Sequence, residues 1–322
     1  MVDPEAVNAA SAAAFLAERF GGEIDAVEHL GTGAWSKAFG FRHAGDELVV
    51  RFGALREDFD KDQRAARFNG PGLPVPRVPE VGEAAAIGAV GRAIGGYYAI
   101  SQRLYGEYID GVDGEQMRAL LPSLFRALDA LRLADVSDTR GYGSWGADGS
   151  APFPSWRAFL VDSHTDSPER RTHGWRARLA GSPTGAGPFD EAFRVLQSLA
   201  PALPEDRHLI HSDLLHFNVL VTGDQITGVL DWGCGLYGDF LYDLAWCCFW
   251  APWFPAWDGI DFEAEAAKHF AQIGLEVPSF GERLRACQLH IGLDGQSYQA
   301  FVGRWDDLAQ TAARTLEIAR QA

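Results

Sequence analysis

The chain lacks a basic excess, a long apolar run, paired cysteines and, almost entirely, lysine. Its 44 Asp and Glu outnumber 28 Lys and Arg for a net charge of −16, with only Lys37, Lys61 and Lys268 as lysines. Such a balance argues against nucleic acid and anionic membrane, which are bound through excess cations. No run of about 18 apolar residues is present, so no membrane span is expected. The N-terminal stretch MVDPEAVNAASAAAFLAERFGG is acidic and has no basic region ahead of an apolar one, so no secretory leader is expected. Four cysteines, Cys234, Cys247, Cys248 and Cys287, form no C-x-x-C pair. They read as reduced and buried in a cytoplasmic protein, not as a thiolate metal site.

What is present is an ordinary globular composition, 47% hydrophobic and 22% charged over 322 residues, enough for one large or two moderate domains. The charge is uneven: 11 Lys/Arg face 14 Asp/Glu in residues 1–104, and 17 face 30 in residues 105–322. The acidic second part suits a cationic small-molecule substrate, or simply solubility. An Ala-rich helix is expected over 4–20, closed by Gly21-Gly22. Strands joined by turns follow over 26–53, with a hairpin at Ala44-Gly45-Asp46. A helix is expected over 57–68, a Pro-rich loop over 70–83 and a strand near 95–104. Beyond a short hinge at 104–106, helical periodicity covers 114–134, 188–200 and most of 239–322. Residues 137–155 read as a Gly/Pro/Ser loop. Residues 208–232 break the helical pattern with two short strands around Thr222-Gly223-Asp224. The chain thus divides into residues 1–104, mainly antiparallel sheet, and 105–322, mainly helical with one hairpin.

That hairpin carries the most informative stretch, HSDLLHFNVL at 211–220 followed by TGVLDWG at 227–233. His211, Asp213, Asn218 and Asp231 are costly to bury unpaired. Asp and Asn often serve turns and caps, but here three oxygen donors can converge. Oxygen donors suit Mg²⁺, which often takes one or two carboxylates plus substrate phosphates. Asp213 can instead orient or deprotonate an attacking hydroxyl, as a phosphoryl-transfer site requires.

The His-x-Asp-x-x-x-x-Asn pattern, then strand, turn, strand and Asp, resembles the catalytic and metal-binding segments of the protein-kinase superfamily. With GVLDW and GDFLYDLAW it resembles the aminoglycoside phosphotransferase family more closely, nearest the branch that acts on hygromycin B. LPVPRVPEVGE, SDTRGYGSWG and IGLDGQSYQAFVGRWDD extend the resemblance over most of the chain. It implies an α+β, bilobal, protein-kinase-like fold: a small antiparallel-sheet nucleotide-binding lobe (1–104) and a larger mainly helical catalytic and substrate lobe (105–322). It also implies transfer of the γ-phosphoryl group of ATP or GTP to an aminoglycoside hydroxyl, with Mg²⁺, giving antibiotic resistance. Asp213 would be the base or orienter, and Asn218 and Asp231 the Mg²⁺ ligands. His211 would brace the loop.

On the nucleotide side, LGTGAWSKAFGF at 30–41 stands at the phosphate-covering loop. Gly31 and Gly33 fit, while Ser36 replaces a third glycine. The strand lysine of the family is replaced by Arg51, which is always charged and can fork onto phosphate. Its helical partner is Asp60 or Asp62. The resemblance puts the base edge against backbone groups of Gln102 and Leu104. Asp239 and Asp243 read as helix-start acids, with Asp239 also a candidate to orient the catalytic loop or the substrate. For the substrate, Trp232, Trp246, Trp250, Trp253 and Trp257 form either core or an aromatic wall for a cationic sugar. Asp258, Asp294, Asp306 and Asp307 are candidate partners for ammonium groups, Asp239, Trp250, Asp294 and Asp306 being preferred. Alternatives are a kinase for an amino sugar or amino alcohol, a nucleotide-binding pseudokinase, and a His211/Asp213 metal hydrolase, the last disfavoured by the lack of a second suitably spaced His.

Overall fold

The computed structural model describes residues 7–321 except 23 and 34. In chain order the main elements are α1 (Ala9–Phe20), β1 (Asp25–Thr32), β2 (Ser36–His43), β3 (Asp46–Gly53), α2 (Arg56–Ala65), β4 (Glu80–Glu83), α3 (Gly88–Ile94), β5 (Tyr97–Gln102) and β6 (Glu107–Tyr108). There follow α4 (Gly114–Leu133), β7 (Gly143–Ser144), α5 (Trp156–Val161), α6 (Trp175–Ala180), α7 (Gly187–Leu199), β8 (His208–Ile210), β9 (Val219–Thr222), β10 (Gln225–Val229) and β11 (Leu236–Gly238). Four helices close the chain: α8 (Leu241–Trp250), α9 (Phe262–Gln272), α10 (Phe280–Val302) and α11 (Trp305–Arg320). The sheet-rich N-terminal and helical C-terminal regions agree with the α+β expectation.

By internal contacts the chain forms two units. The first runs to Gly111 and takes in Gly146–Gly149 and His216–Cys234; the second holds the rest. The β9–β10 hairpin, assigned from sequence to the helical part, therefore groups with the first unit.

In the first unit, β1-β2-β3-β5-β4 form one antiparallel sheet. Alternation sends Val50 and Phe52 to a core with Phe15, Phe39, Phe41 and Tyr98, and turns Arg51 to the opposite face. Helix α1 begins at an Asn8–Ser11 capping box and stops at Gly21, where φ is 74°. Residues 4–6 of the expected helix lie outside the described residues. Two expectations for this unit fail. Residues 80–83, read as the end of a Pro-rich loop, form β4, because the last proline, Pro79, stops just short of the strand. Helix α3 went unforeseen because Gly88 and Gly91 lower its propensity.

In the second unit, α10 is buried over most of its circumference among α6, α7, α8 and α11. Gly292 permits this closeness: a Cβ there would fall within 3 Å of Phe249 and Thr315. No cysteine is in a disulfide, and Cys247 and Cys287 are buried as expected, but Cys234 is exposed and Cys248 half-buried. Among the described residues, no helix is long and apolar enough to cross a membrane.

Candidate active site

The second unit carries residues 211–215, directly after β8. The His211 and Ser212 N–H groups donate to the two oxygens of Asp243, at 2.9 and 2.7 Å. Ser212 is left-handed, with φ 64°. Such a conformation costs a non-glycine residue about 1–3 kcal/mol, so it persists only where neighbours fix it. The Asp213 N–H donates to Nδ1 of His211 at 3.2 Å, so the buried ring braces the loop. Asp213 itself is half-buried. Burial pushes the Asp243 carboxyl above its ordinary range, against the pull of His211 and the two N–H donors.

Asp239 is not what orients this loop. It is 1% exposed, both its oxygens are held by Arg283 at 2.8 Å, and it also accepts the Leu241 N–H. The loop-orienting role considered for Asp239 belongs to Asp243, and its enclosure leaves it no face for substrate.

The first unit carries residues 216–234. His216 and Phe217 are both left-handed, with φ 63° and 70°, and their N–H groups donate to the two oxygens of Asp110 at 2.6 and 2.9 Å. The hairpin register pairs Val219 with Val229. One step further out, the Leu230 N–H donates to the Asn218 carbonyl at 2.8 Å. Asn218 therefore stands opposite Leu230, the residue before Asp231, at the open end of the hairpin.

The turn beyond is held by α2. Asp231 has φ 56° and accepts the Gly233 N–H at 3.3 Å. The Trp232 N–H donates to Asp62 Oδ1 at 2.8 Å, and Lys61 Nζ donates to the Gly233 carbonyl at 2.6 Å. Of the two carboxylates open from sequence, Asp62 pairs with Arg51, while Asp60 pairs with Arg56 at 3.2 Å. Burial pulls the Arg51 guanidinium down, but Asp62, Asp231 and Asp58 more than offset this and hold it firmly charged. Burial, with Asp231 nearby, raises the Asp62 carboxyl in spite of Arg51.

The remaining nucleotide candidates also lie in the first unit. Gly33 N–H donates to Ser36 O at 2.9 Å, and Gly31 pairs with Ala38. Among the described residues, a Cβ on Gly31 would meet nothing within 4 Å and one on Gly33 only Ser36 O at 3.7 Å. Leu104 is half-buried. The Gln102 N–H is already committed to Arg77 O at 2.8 Å, which removes one of the backbone groups expected to meet a base.

The substrate candidates separate by burial. Trp250 is 7% exposed and packs on Trp253 at 4.9 Å, and Trp257 is buried with its Nε1 on Val112 O, so these two read as core, while Trp246 and Trp253 are half-buried. Trp232, likewise buried, belongs to the first unit. Asp258 and Asp306 are exposed. Asp294 is open to solvent on one face yet crowded by protein elsewhere. The crowding pushes its carboxyl up, against the pull of Arg170.

Asp110, Asp243 and Lys61 are the residues that sequence reasoning missed as parts of the site. All three act on main-chain atoms, which carry no sequence pattern.

The profile of the phosphotransferase enzyme family matches residues 31–274. Hygromycin-B 4-O-kinase of Escherichia coli is 32% identical over 99% of this chain and 87% of its own length. A thermostable mutant of aminoglycoside phosphotransferase APH(4)-Ia, solved as a ternary complex with AMP-PNP and hygromycin B, is 30% identical. It superposes with a TM-score of 0.80 over 96% of this chain and 98% of that one. A putative fructosamine-3-kinase from Haemophilus somnus 129PT, 17% identical with a TM-score of 0.62 over 96% of this chain and 97% of its own, shares the fold.

Proposed function

The chain belongs to the phosphotransferase enzyme family, and on that premise we propose that it transfers the γ-phosphoryl group of ATP or GTP to a hydroxyl of an aminoglycoside, with hygromycin B the favoured acceptor. The observation that carries this reading is the hairpin register that sets Asn218 opposite Leu230, the residue before Asp231, with Asp213 five residues before Asn218. The 32% identity to Hygromycin-B 4-O-kinase supports the acceptor.

In this reading the residues divide the labour. Asp213, on a loop fixed by His211 and Asp243, accepts a hydrogen bond from the acceptor hydroxyl and orients it for in-line attack. Arg51, kept charged by Asp62, holds nucleotide phosphate. Gly31, Gly33 and Ser36 cover the phosphates, and backbone around Gln102 and Leu104 meets the base. Asp294 and Asp306 pair with ammonium groups of the acceptor. Residues 1–104 thus supply the nucleotide side and 105–322 the acceptor side.

Asn218 and Asp231 would hold Mg²⁺. Among the described residues no group of three or more His, Cys, Asp and Glu side chains could hold a metal. One amide and one carboxylate at the same end of a hairpin fit an ion that takes its other ligands from water and phosphate. When bound, Mg²⁺ neutralises the charge that builds up on the phosphates during transfer. The buried thiols Cys247 and Cys287 support a reducing, cytoplasmic setting, in which phosphorylation would inactivate the antibiotic and confer resistance.

The test is a coupled assay of nucleoside diphosphate release with Mg²⁺ and ATP or GTP, run against aminoglycosides led by hygromycin B, with Asp213→Ala as control. Release that requires both the antibiotic and Asp213 is the expected result. Nucleotide binding with no release for any antibiotic would point instead to an amino-sugar or amino-alcohol acceptor.

A further inference from the structure

Lys61 is 1% exposed. Enclosing an ammonium group is unfavourable unless its hydrogen bonds and charge are met, so a residue needed only for packing there would ordinarily be apolar. The ammonium ends 2.6 Å from the carbonyl oxygen of Gly233, two residues after Asp231. The next residue on α2, Asp62, accepts the N–H of Trp232 and pairs with Arg51. The helix thus grips two peptide groups of one turn, 231–232 by its N–H and 233–234 by its carbonyl. The turn needs such a grip, because Asp231 sits at φ 56°. It also gathers negative charge: a Cβ on Gly233 would lie 3.2 Å from Asp231 Oδ1 and 3.5 Å from the Asp58 carboxyl carbon.

We infer that Lys61 is a positioning residue for the metal: through the Gly233 carbonyl it fixes the 231–233 turn so that the Asp231 carboxylate is held ready for the cation beside Asn218. The inference rests on the metal role proposed above for Asn218 and Asp231. It assigns Lys61 no contact with nucleotide or acceptor. Arg51 and Lys61 therefore serve different ends, the first aimed at phosphate and the second at the metal turn.

The experiment titrates Mn²⁺ into the full chain with AMP-PNP, following the Mn²⁺ by electron paramagnetic resonance. Metal-free AMP-PNP binding and the melting temperature are measured alongside. Lys61→Met is expected to weaken Mn²⁺ binding by about 10- to 100-fold, the usual loss when the support of a metal ligand is removed. Metal-free nucleotide binding should stay at its wild-type value. If Lys61→Met does not fold, Lys61→Gln, which keeps a shorter and uncharged donor, takes its place and should show a smaller loss in the same direction. Wild-type Mn²⁺ affinity in a folded variant overturns the inference. So does a parallel fall of metal binding, metal-free nucleotide binding and melting temperature, which would make Lys61 a support of the fold alone. A wild-type chain that binds AMP-PNP but no Mn²⁺ overturns the metal roles of Asn218 and Asp231 together with this one. None of these readouts depends on which antibiotic is phosphorylated.

Discussion

The two ends of the stretch 211–218 use one device in two settings. At the first end, in the second unit, Asp243 takes the N–H groups of His211 and Ser212 from a site only 2% exposed. At the other end, in the first unit, Asp110 takes those of His216 and Phe217 from a half-buried position. Both carboxylates hold left-handed residues that the chain would otherwise leave. The difference lies in what replaces them when they are removed. Water can reach the amides beside Asp110 but not those beside Asp243, so equal hydrogen-bond counts should give unequal energies.

The largest expected effect concerns the residue that the first end presents. Asp213→Ala should lower the turnover number for transfer by about 10²- to 10⁴-fold, the range for loss of a positioned acid–base group, with nucleotide affinity retained. Diphosphate release at saturating substrates measures it, and near-normal turnover would remove Asp213 from the chemistry. Next comes the comparison of the two clamps in urea unfolding. Asp243→Ala, which leaves two enclosed amides unserved, should cost about 3 kcal/mol, and Asp110→Ala about 1 kcal/mol. Equal losses would break the contrast.

A third, smaller effect is the pH dependence of the second unit. Burial lowers the His290 pKa from 6.5 to about 3. The unfolded chain therefore binds a proton that the folded chain refuses between those values. Stability should rise with pH across that window, by at most about 1.4 kcal/mol per pH unit from this group. Asp243 acts in the opposite sense. Its raised pKa means that the folded form keeps a proton the unfolded form has released, so its share of stability falls as pH rises above 3.8. Urea midpoints at several pH values should show a weaker rise for His290→Gln and a steeper one for Asp243→Asn. The smallest effect tests the strain at the second end. In Phe217→Gly, relief of the left-handed conformation opposes the added freedom of glycine, and the net change should stay within about 1 kcal/mol.

The legible parts of the site share a property: their spacing is set by a local element. Asp213, Asn218 and Asp231 flank one hairpin, whose register follows from two short apolar strands and the turn at Gly223. Arg51 was a candidate because the family resemblance asks for a cation on that strand. The clamps were not legible, since Asp110 and Asp243 lie 106 and 32 residues from the amides they serve and any carboxylate can accept an N–H. Asp239 and Asp243, four apart at the start of the same helix, look alike in sequence. Arg283, 44 residues on, decides that Asp239 is a buried ion pair. The tryptophans were ambiguous for another reason: an aromatic side chain suits both a core and a sugar-binding wall, and only burial separates them. In the fold, the first three strands, the β9–β10 hairpin and the long helices could be read, whereas β4 and α3 were hidden by Pro79 and by glycines, and the short β7, β11, α5 and α6 were not foreseen.

The distribution of thiols has a practical consequence. Burial carries the Cys247 pKa to about 12 and those of Cys248 and Cys287 well above 9, so all three stay protonated and slow toward electrophiles. Cys234 is exposed and lies one residue beyond Gly233. A maleimide fluorophore added to the unmodified chain would therefore attach beside the turn that α2 grips, providing an optical reporter of that turn without any engineered cysteine.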